Sequence, residues 1–282
     1  MKSMVYTPES NQDKSLLDNL KELYLDVKNY RHLLRSLVFL TLTQHYKKSI
    51  LGISWLIISP VLSVVVWVLL QASGLFNPGD TAVPYVAFVL LSNSIWMFFI
   101  SFYKGISDAI VGRGGELLQN NFPKIIIVVE RTIVSFINFI IPLVLSILVL
   151  LLFGARFGWE ALFFLPALLP LVFLGISMGL IFAVIKVVAV DFSVLFDNAI
   201  DVLKYLSPVV YSTAVASDLI QNIILWNPLT YLIDFPRKML LGVGTDAWEL
   251  YLLCSVGAFV LMILSLRFFY LALPWVFEKI TI

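Results

Sequence analysis

Residues 192–213 hold three charges in a mostly apolar stretch: Asp197, Asp201 and Lys204. Their spacing, i, i+4 and i+7, puts all three on one helix face. In a helix starting near residue 191, Asp201 lies about 15 Å from the start. Charges at such a depth face protein or water rather than lipid, and in a membrane protein they are the first functional candidates. The chemistry open to them is lining a translocation path or relaying protons. Two structural readings compete: an ion pair of Asp201 with Lys204, or a helix that projects into the cytoplasm before entering the membrane.

Other reactive groupings are missing from the sequence. It has no G-x-x-x-x-G-K-[ST], G-x-S-x-G, H-E-x-x-H or C-x-x-C. Gly112-Arg113-Gly114-Gly115 is glycine-rich but lacks the lysine and hydroxyl of a phosphate loop, so it reads as a turn. Cys254 is the single cysteine, sits in an apolar run and reads as a packing residue. His32 and His45 have no further ligands nearby and read as surface or interfacial residues. The chain itself is therefore expected to bear no metal, cofactor or catalytic residue.

The elements that carry these residues must live in lipid. The 282 residues are 60% hydrophobic and only 13% charged, with a mean hydropathy of +0.96. Soluble domains are about 45–50% apolar and about 25% charged. The formal net charge is +1, which exerts no bulk pull on nucleic acid. The polar first 30 residues lack the apolar core of a signal peptide, so the first span is expected to direct insertion. A span needs about 20 apolar residues. Six are expected, at about 53–74, 82–103, 127–153, 161–185, 192–213 and 247–269, in an all-α fold. Residues 219–233 are too short for a crossing and are interrupted by Asn227 and Pro228. Residues 214–240 therefore read as re-entrant or interfacial helices between spans five and six.

Lys and Arg placement orients this arrangement. Fifteen of the nineteen fall on the side of the N-terminus, three on the other, and Lys204 lies within span five. The positive-inside rule then puts both termini in the cytoplasm. Residues 1–48 form a cytoplasmic tail and a basic amphipathic helix over about 16–48, followed by a transmembrane domain over 49–282. In that helix Leu23, Val27, Leu34 and Leu37 recur at helical spacing, with Lys21, Lys28, Arg31 and Arg35 between them. The loop 104–124 is also cytoplasmic, with Ser107-Asp108 placed to cap a short helix. Gly175, Gly179 and Ala183 form a ridge for close helix approach, expected within the subunit rather than at a dimer seam. Many of the 40 aromatic residues fit interfacial belts, while others could stack on a sugar inside a channel.

Several short stretches then resemble one family. Tyr46-Lys47-Lys48-Ser49-Ile50-Leu51-Gly52-Ile53-Ser54-Trp55, followed by Pro60, resembles the start of the first span in ABC-2 type exporter permeases of the polysaccharide and polyol-phosphate export group. Asn121-Phe122-Pro123-Lys124 resembles the stretch before the third span. Ser207-Pro208-Val209-Val210-Tyr211 resembles the fifth. Asn227-Pro228-Leu229, with Arg237 and Leu240-Leu241-Gly242, resembles the outer region. The pieces occur in family order from about residue 30 to the C-terminus. One departure is Val190-Asp191, where the family has Arg-Asp.

The resemblance implies a channel-forming half-transporter that works as a homodimer. Two copies of a separate P-loop ATPase would carry ATP and Mg²⁺. The implied cargo is a polyprenyl-diphosphate-linked polysaccharide such as O-antigen, a capsule or a teichoic acid chain, moved outward across the inner membrane. Arg31, Arg35, Lys47 and Lys48 are candidates for the lipid diphosphate by charge and position. Trp67, Tyr85, Trp96, Asp201 and Tyr211 are candidates for the channel lining. Residues 107–122, with Ser107, Asp108, Arg113, Glu116 and Gln119, would couple to the ATPase. The competing readings are a drug or small-lipid exporter, a proton-coupled flippase using Asp197 and Asp201, and a membrane glycosyltransferase. The last needs an acidic metal-binding cluster that the longest inner loop lacks.

Overall fold

The computed structural model describes residues 16–47, 52–112, 122–213, 218–245 and 247–281. Every regular element among them is a helix. Two amphipathic helices, α1 (Leu16–Asn29) and α2 (Arg31–Lys47), occupy the expected N-terminal segment. They follow each other almost without a break, since Tyr30 N donates to Asp26 O and Leu34 N to Tyr30 O at 2.9 Å each.

Five helical stretches are long and apolar enough to cross a membrane. They are α3 (Trp55–Ala72), α4 (Tyr85–Gly112), α5 (Ile125–Leu152), α6 (Leu169–Val188) with its helical lead-in Trp159–Ala167, and α10 (Trp248–Thr281). Each coincides with an expected span, and the chain is a multi-pass membrane protein.

The sixth expected span takes a different form. Residues 190–203 make α7 (Val190–Leu203), only 14 residues and about 21 Å long. Beyond it the chain tightens into turns, with Tyr205 N donating to Val202 O and Leu206 N to Leu203 O. Pro208, which has no N–H, then stops any helical continuation. Two short helices follow, α8 (Asp218–Trp226) and α9 (Pro228–Leu241). The ends of α9 are written in the sequence. Asn227 caps its start by accepting from Leu229 N at 3.0 Å, Pro228 opens the first turn, and Gly242 closes it at φ 65°.

Helix α4 is the hub. It packs on α5 and α6, and α6 packs on α10. The approach of α4 and α6 depends on two glycines. A Cβ on Gly175 would lie 2.9 Å from Phe102 Cβ, and one on Gly179 would lie 2.8 Å from Ile106 Cβ and 3.0 Å from Phe102 O. The small-residue ridge therefore works inside the subunit. Helix α3 is the opposite case: its one buried residue is Val64, and Leu62, Val66 and Leu69 point outward. Such a face is compatible only with lipid or another protein surface.

One local expectation is corrected. Ser107-Asp108 does not cap a separate helix, because α4 runs on to Gly112. Ser107 is fully buried within it.

Adding one methyl group at Gly179 should separate α4 from α6. Gly179→Ala is expected to destabilise the protein by roughly 1–3 kcal/mol through overpacking. Gly257→Ala meets open space on α10 and should be neutral or slightly stabilising. Thermal midpoints of the two purified variants in detergent check the contrast.

Candidate functional site

Asp197 of α7 and Lys204 just beyond its end reach protein partners. Asp197 accepts a hydrogen bond from Tyr103 Oη at 2.8 Å and from Lys186 Nζ at 3.0 and 3.2 Å. Lys186 also donates to Asp108 at 2.6 Å. One buried ammonium on α6 thus holds a carboxylate from α4 and another from α7. Asp201 lies at the surface, 3.4 Å from Lys104. Lys204 donates to Asn93 Oδ1 at 2.8 Å, and Asn93 Nδ2 donates to Ser63 Oγ on α3 at 2.8 Å. The proposed ion pair of Asp201 with Lys204 is therefore replaced by two separate contacts to α4. The physical reason is position: Lys204 follows one turn nearer the tightened end of α7, where the side-chain amide of Asn93 is in reach.

A second constellation forms where α7 ends. Turning the chain there exposes carbonyls that no longer have helical partners. Four of them accept bonds from side chains. Tyr211 Oη donates to Tyr205 O at 2.9 Å, and Asn227 Nδ2 donates to Leu206 O at 3.0 Å. Arg237 donates to Pro208 O at 2.7 Å, and Tyr85 Oη donates to Val210 O at 2.8 Å. Asn227 Nδ2 also reaches Ser207 Oγ at 2.9 Å. Two stretches twenty residues apart in sequence are thereby tied into one knot.

Arg237 is the centre of this knot and is 2% exposed. Besides Pro208 O it donates to Ser92 Oγ at 2.8 Å and to Asp234, and its guanidinium lies 4.2 Å from the Phe88 ring centroid. Asp234 also pairs with Lys238 at 3.0 Å. Burial alone pushes the Asp234 carboxyl up; the charges and hydrogen bonds of Arg237 and Lys238 outweigh it and hold the carboxyl below its ordinary value. A buried guanidinium is tolerated only when its donors are satisfied and its charge is met, and both conditions hold here.

Comparison with known proteins bears on this arrangement. The chain is 27% identical over 199 residues to the O-antigen export system permease protein RfbA of Myxococcus xanthus, covering 71% of this chain and 74% of that protein. It is 21% identical over 246 residues to the protein of the same name from Klebsiella pneumoniae, covering 86% and 93%. This chain resembles O-antigen export permeases. No family model matches it.

The expected site residues are distributed unevenly. Arg31 and Arg35 are exposed on α2. Lys47 ends α2, with its side chain outside the described part, and Lys48, Arg113, Glu116 and Gln119 lie outside the described residues. Asp108 is in the lysine cluster, while Ser107 is buried inside α4. Of the expected channel lining, Tyr85, Trp96 and Tyr211 are buried. Tyr85 and Tyr211 use their hydroxyls in the knot. Trp67 is half-buried against Phe76 and Tyr205, with ring centroids 5.4 and 5.8 Å away. Asp201 alone is well exposed.

Sequence reasoning missed Lys186, Tyr103 and Asn93 as partners of the α7 charges. The signal available was one buried-face lysine in an otherwise uncharged span, which was counted only for topology.

Removing the guanidinium should be far costlier than removing the surface carboxylate. Arg237→Met is expected to destabilise by roughly 3–5 kcal/mol, since it leaves Asp234 with Lys238 as its remaining cation and takes the donor from Pro208 O and Ser92 Oγ. Asp201→Asn should cost under about 1 kcal/mol. Because the folded-state carboxyl of Asp234 is depressed, its contribution is complete at neutral pH and is lost as pH falls through that lowered value. Denaturation profiles against pH check this, and Asp234→Asn should flatten the acid limb.

Proposed function

We propose that this chain is the channel-forming membrane subunit of an ATP-driven exporter. It would move a polyprenyl-diphosphate-linked, O-antigen-like polysaccharide outward across the inner membrane. The observation that carries the reading is the similarity to O-antigen export permeases over 86% of the chain, at 21% identity. The knot adds support, because Ser207, Pro208, Asn227 and Arg237, quoted above from separate family-like stretches, touch one another. A transport subunit of this kind is no enzyme itself; ATP and Mg²⁺ would sit on a P-loop partner present in two copies.

In this reading two copies of the chain pair to enclose the path, and both termini lie in the cytoplasm. Helices α8 and α9 would form the non-crossing outer element. Residues 190–211 would add a sixth crossing to the five long apolar helices, and an even number would put both termini on one side. The exposed outward face of α3 would serve the second copy. Arg31 and Arg35, exposed beside the membrane surface, would hold the cargo's diphosphate. A proton-coupled mechanism finds less support. Asp197 is engaged by Tyr103 and Lys186, which disfavours it as one step of a proton relay along α7.

Purification of the chain from its native membrane is the test. A dimer that brings down a P-loop ATPase supports the reading, and a chain recovered without one opposes it. Arg31→Gln with Arg35→Gln should lower export several-fold while the amount of folded protein in the membrane stays constant. Asp201→Asn should leave export intact, whereas a proton relay through Asp201 would lose it. Surface appearance of the glycan, scored with immunoblots of the permease, separates these outcomes.

A further inference from the structure

A narrow cavity of about 120 Å³ lies between α1 and α10. Its walls are Leu23 of α1 and Phe259, Met262 and Leu266 of α10, and Asn19 and Arg267 border it. Asn19 is 4% exposed, and neither its amide nitrogen nor its amide oxygen has a hydrogen-bond partner among the described residues. An unpaired primary amide beside an apolar slot is costly unless something supplies a partner. The slot follows α10 for about 12 Å between Phe259 and Arg267. Phe259 lies deep in the spanning part of α10, and Arg267 lies toward the membrane surface where α1 rests.

We propose that this cavity is a site for one phospholipid of the leaflet on the α1 side. An acyl chain lies along Met262 toward Phe259, and an ester carbonyl accepts a hydrogen bond from Asn19 Nδ2. The phosphate sits near the positive charge of Arg267. Everything the ligand needs is graded along the slot: an apolar depth, an amide donor and a cation at the headgroup level. The lipid would then cement the amphipathic α1 onto the last span. This site depends on the chain spanning a membrane and is independent of what the chain exports.

The test uses the full-length chain in vesicles of phosphatidylethanolamine and phosphatidylglycerol that include a phospholipid with a diazirine at mid-chain. After illumination, adducts are mapped by mass spectrometry. Labelling of residues 259–266 is expected to exceed that of the outward α5 stretch 140–151 several-fold. Met262→Trp fills the slot and should bring the two to the same level. Asn19→Leu should reduce the phospholipid retained through detergent washing several-fold. Should Met262→Trp elute as aggregate, Leu23→Phe fills the slot from the α1 side and is read in its place. Equal labelling of residues 259–266 and of the α5 stretch 140–151 in the unaltered chain would overturn the site. So would unchanged labelling in a folded slot-filling variant, or unchanged phospholipid retention in folded Asn19→Leu.

Discussion

A polypeptide that stops being helical at membrane depth must find partners for the carbonyls it releases. That constraint organises the region around the end of α7. Four released carbonyls are met by Tyr85, Tyr211, Asn227 and Arg237. Each donor comes from a different local setting: the first turn of α4, the turn itself, the cap of α9 and the body of α9. Residues 204–213 and 218–241 are thus held by these hydrogen bonds as well as by core side chains such as Val209, Leu232 and Ile233. The arginine is the expensive member, and Asp234, Ser92 and the Phe88 ring offset its burial.

Helix α4 joins this knot to the other end of the molecule. Near its start it contributes Tyr85, Phe88 and Ser92 to the knot, and near its end Tyr103, Lys104 and Asp108 to the charge cluster. Asn93 lies between them and links Lys204 of α7 to Ser63 of α3. The close fit of Gly175 and Gly179 fixes α6 against the same helix. A shift of α7 relative to α4 would therefore disturb both polar ends together, because the two helices share side chains at each.

Much of this was legible in the sequence, for reasons that differ by element. The long spans appear because uncharged runs of twenty residues have one physical use. The limits of α9 appear because Asn227, Pro228 and Gly242 each do a specific job at a helix end. The glycine ridge appears for a similar reason, since small residues four apart permit close approach. What stayed hidden was partner choice. Spacing puts Asp197, Asp201 and Lys204 on one face, but nothing local says that Lys186, eleven residues earlier on another helix, answers Asp197. Aromatics were the least legible. Tyr85, Trp96 and Tyr211 are apolar bodies with polar edges, equally suited to a sugar-lined path or a core, and only tertiary packing put them inside. The boundary of α4 also escaped, because Lys104 and Asp108 made residues 104–112 look like a loop, whereas Lys186 and Asp201 meet those charges and let the helix continue.

The central claim is that an ATPase partner, not an ion gradient, drives a lipid-linked glycan through a channel built by this chain. Inverted membrane vesicles holding the chain, its partner ATPase and a labelled polyprenyl-diphosphate-linked glycan test it most directly. The account predicts that ATP added outside moves the glycan into the lumen, that a protonophore leaves the rate unchanged, and that omitting the partner abolishes movement. Movement that needs a proton gradient and proceeds without ATP or the partner would contradict it.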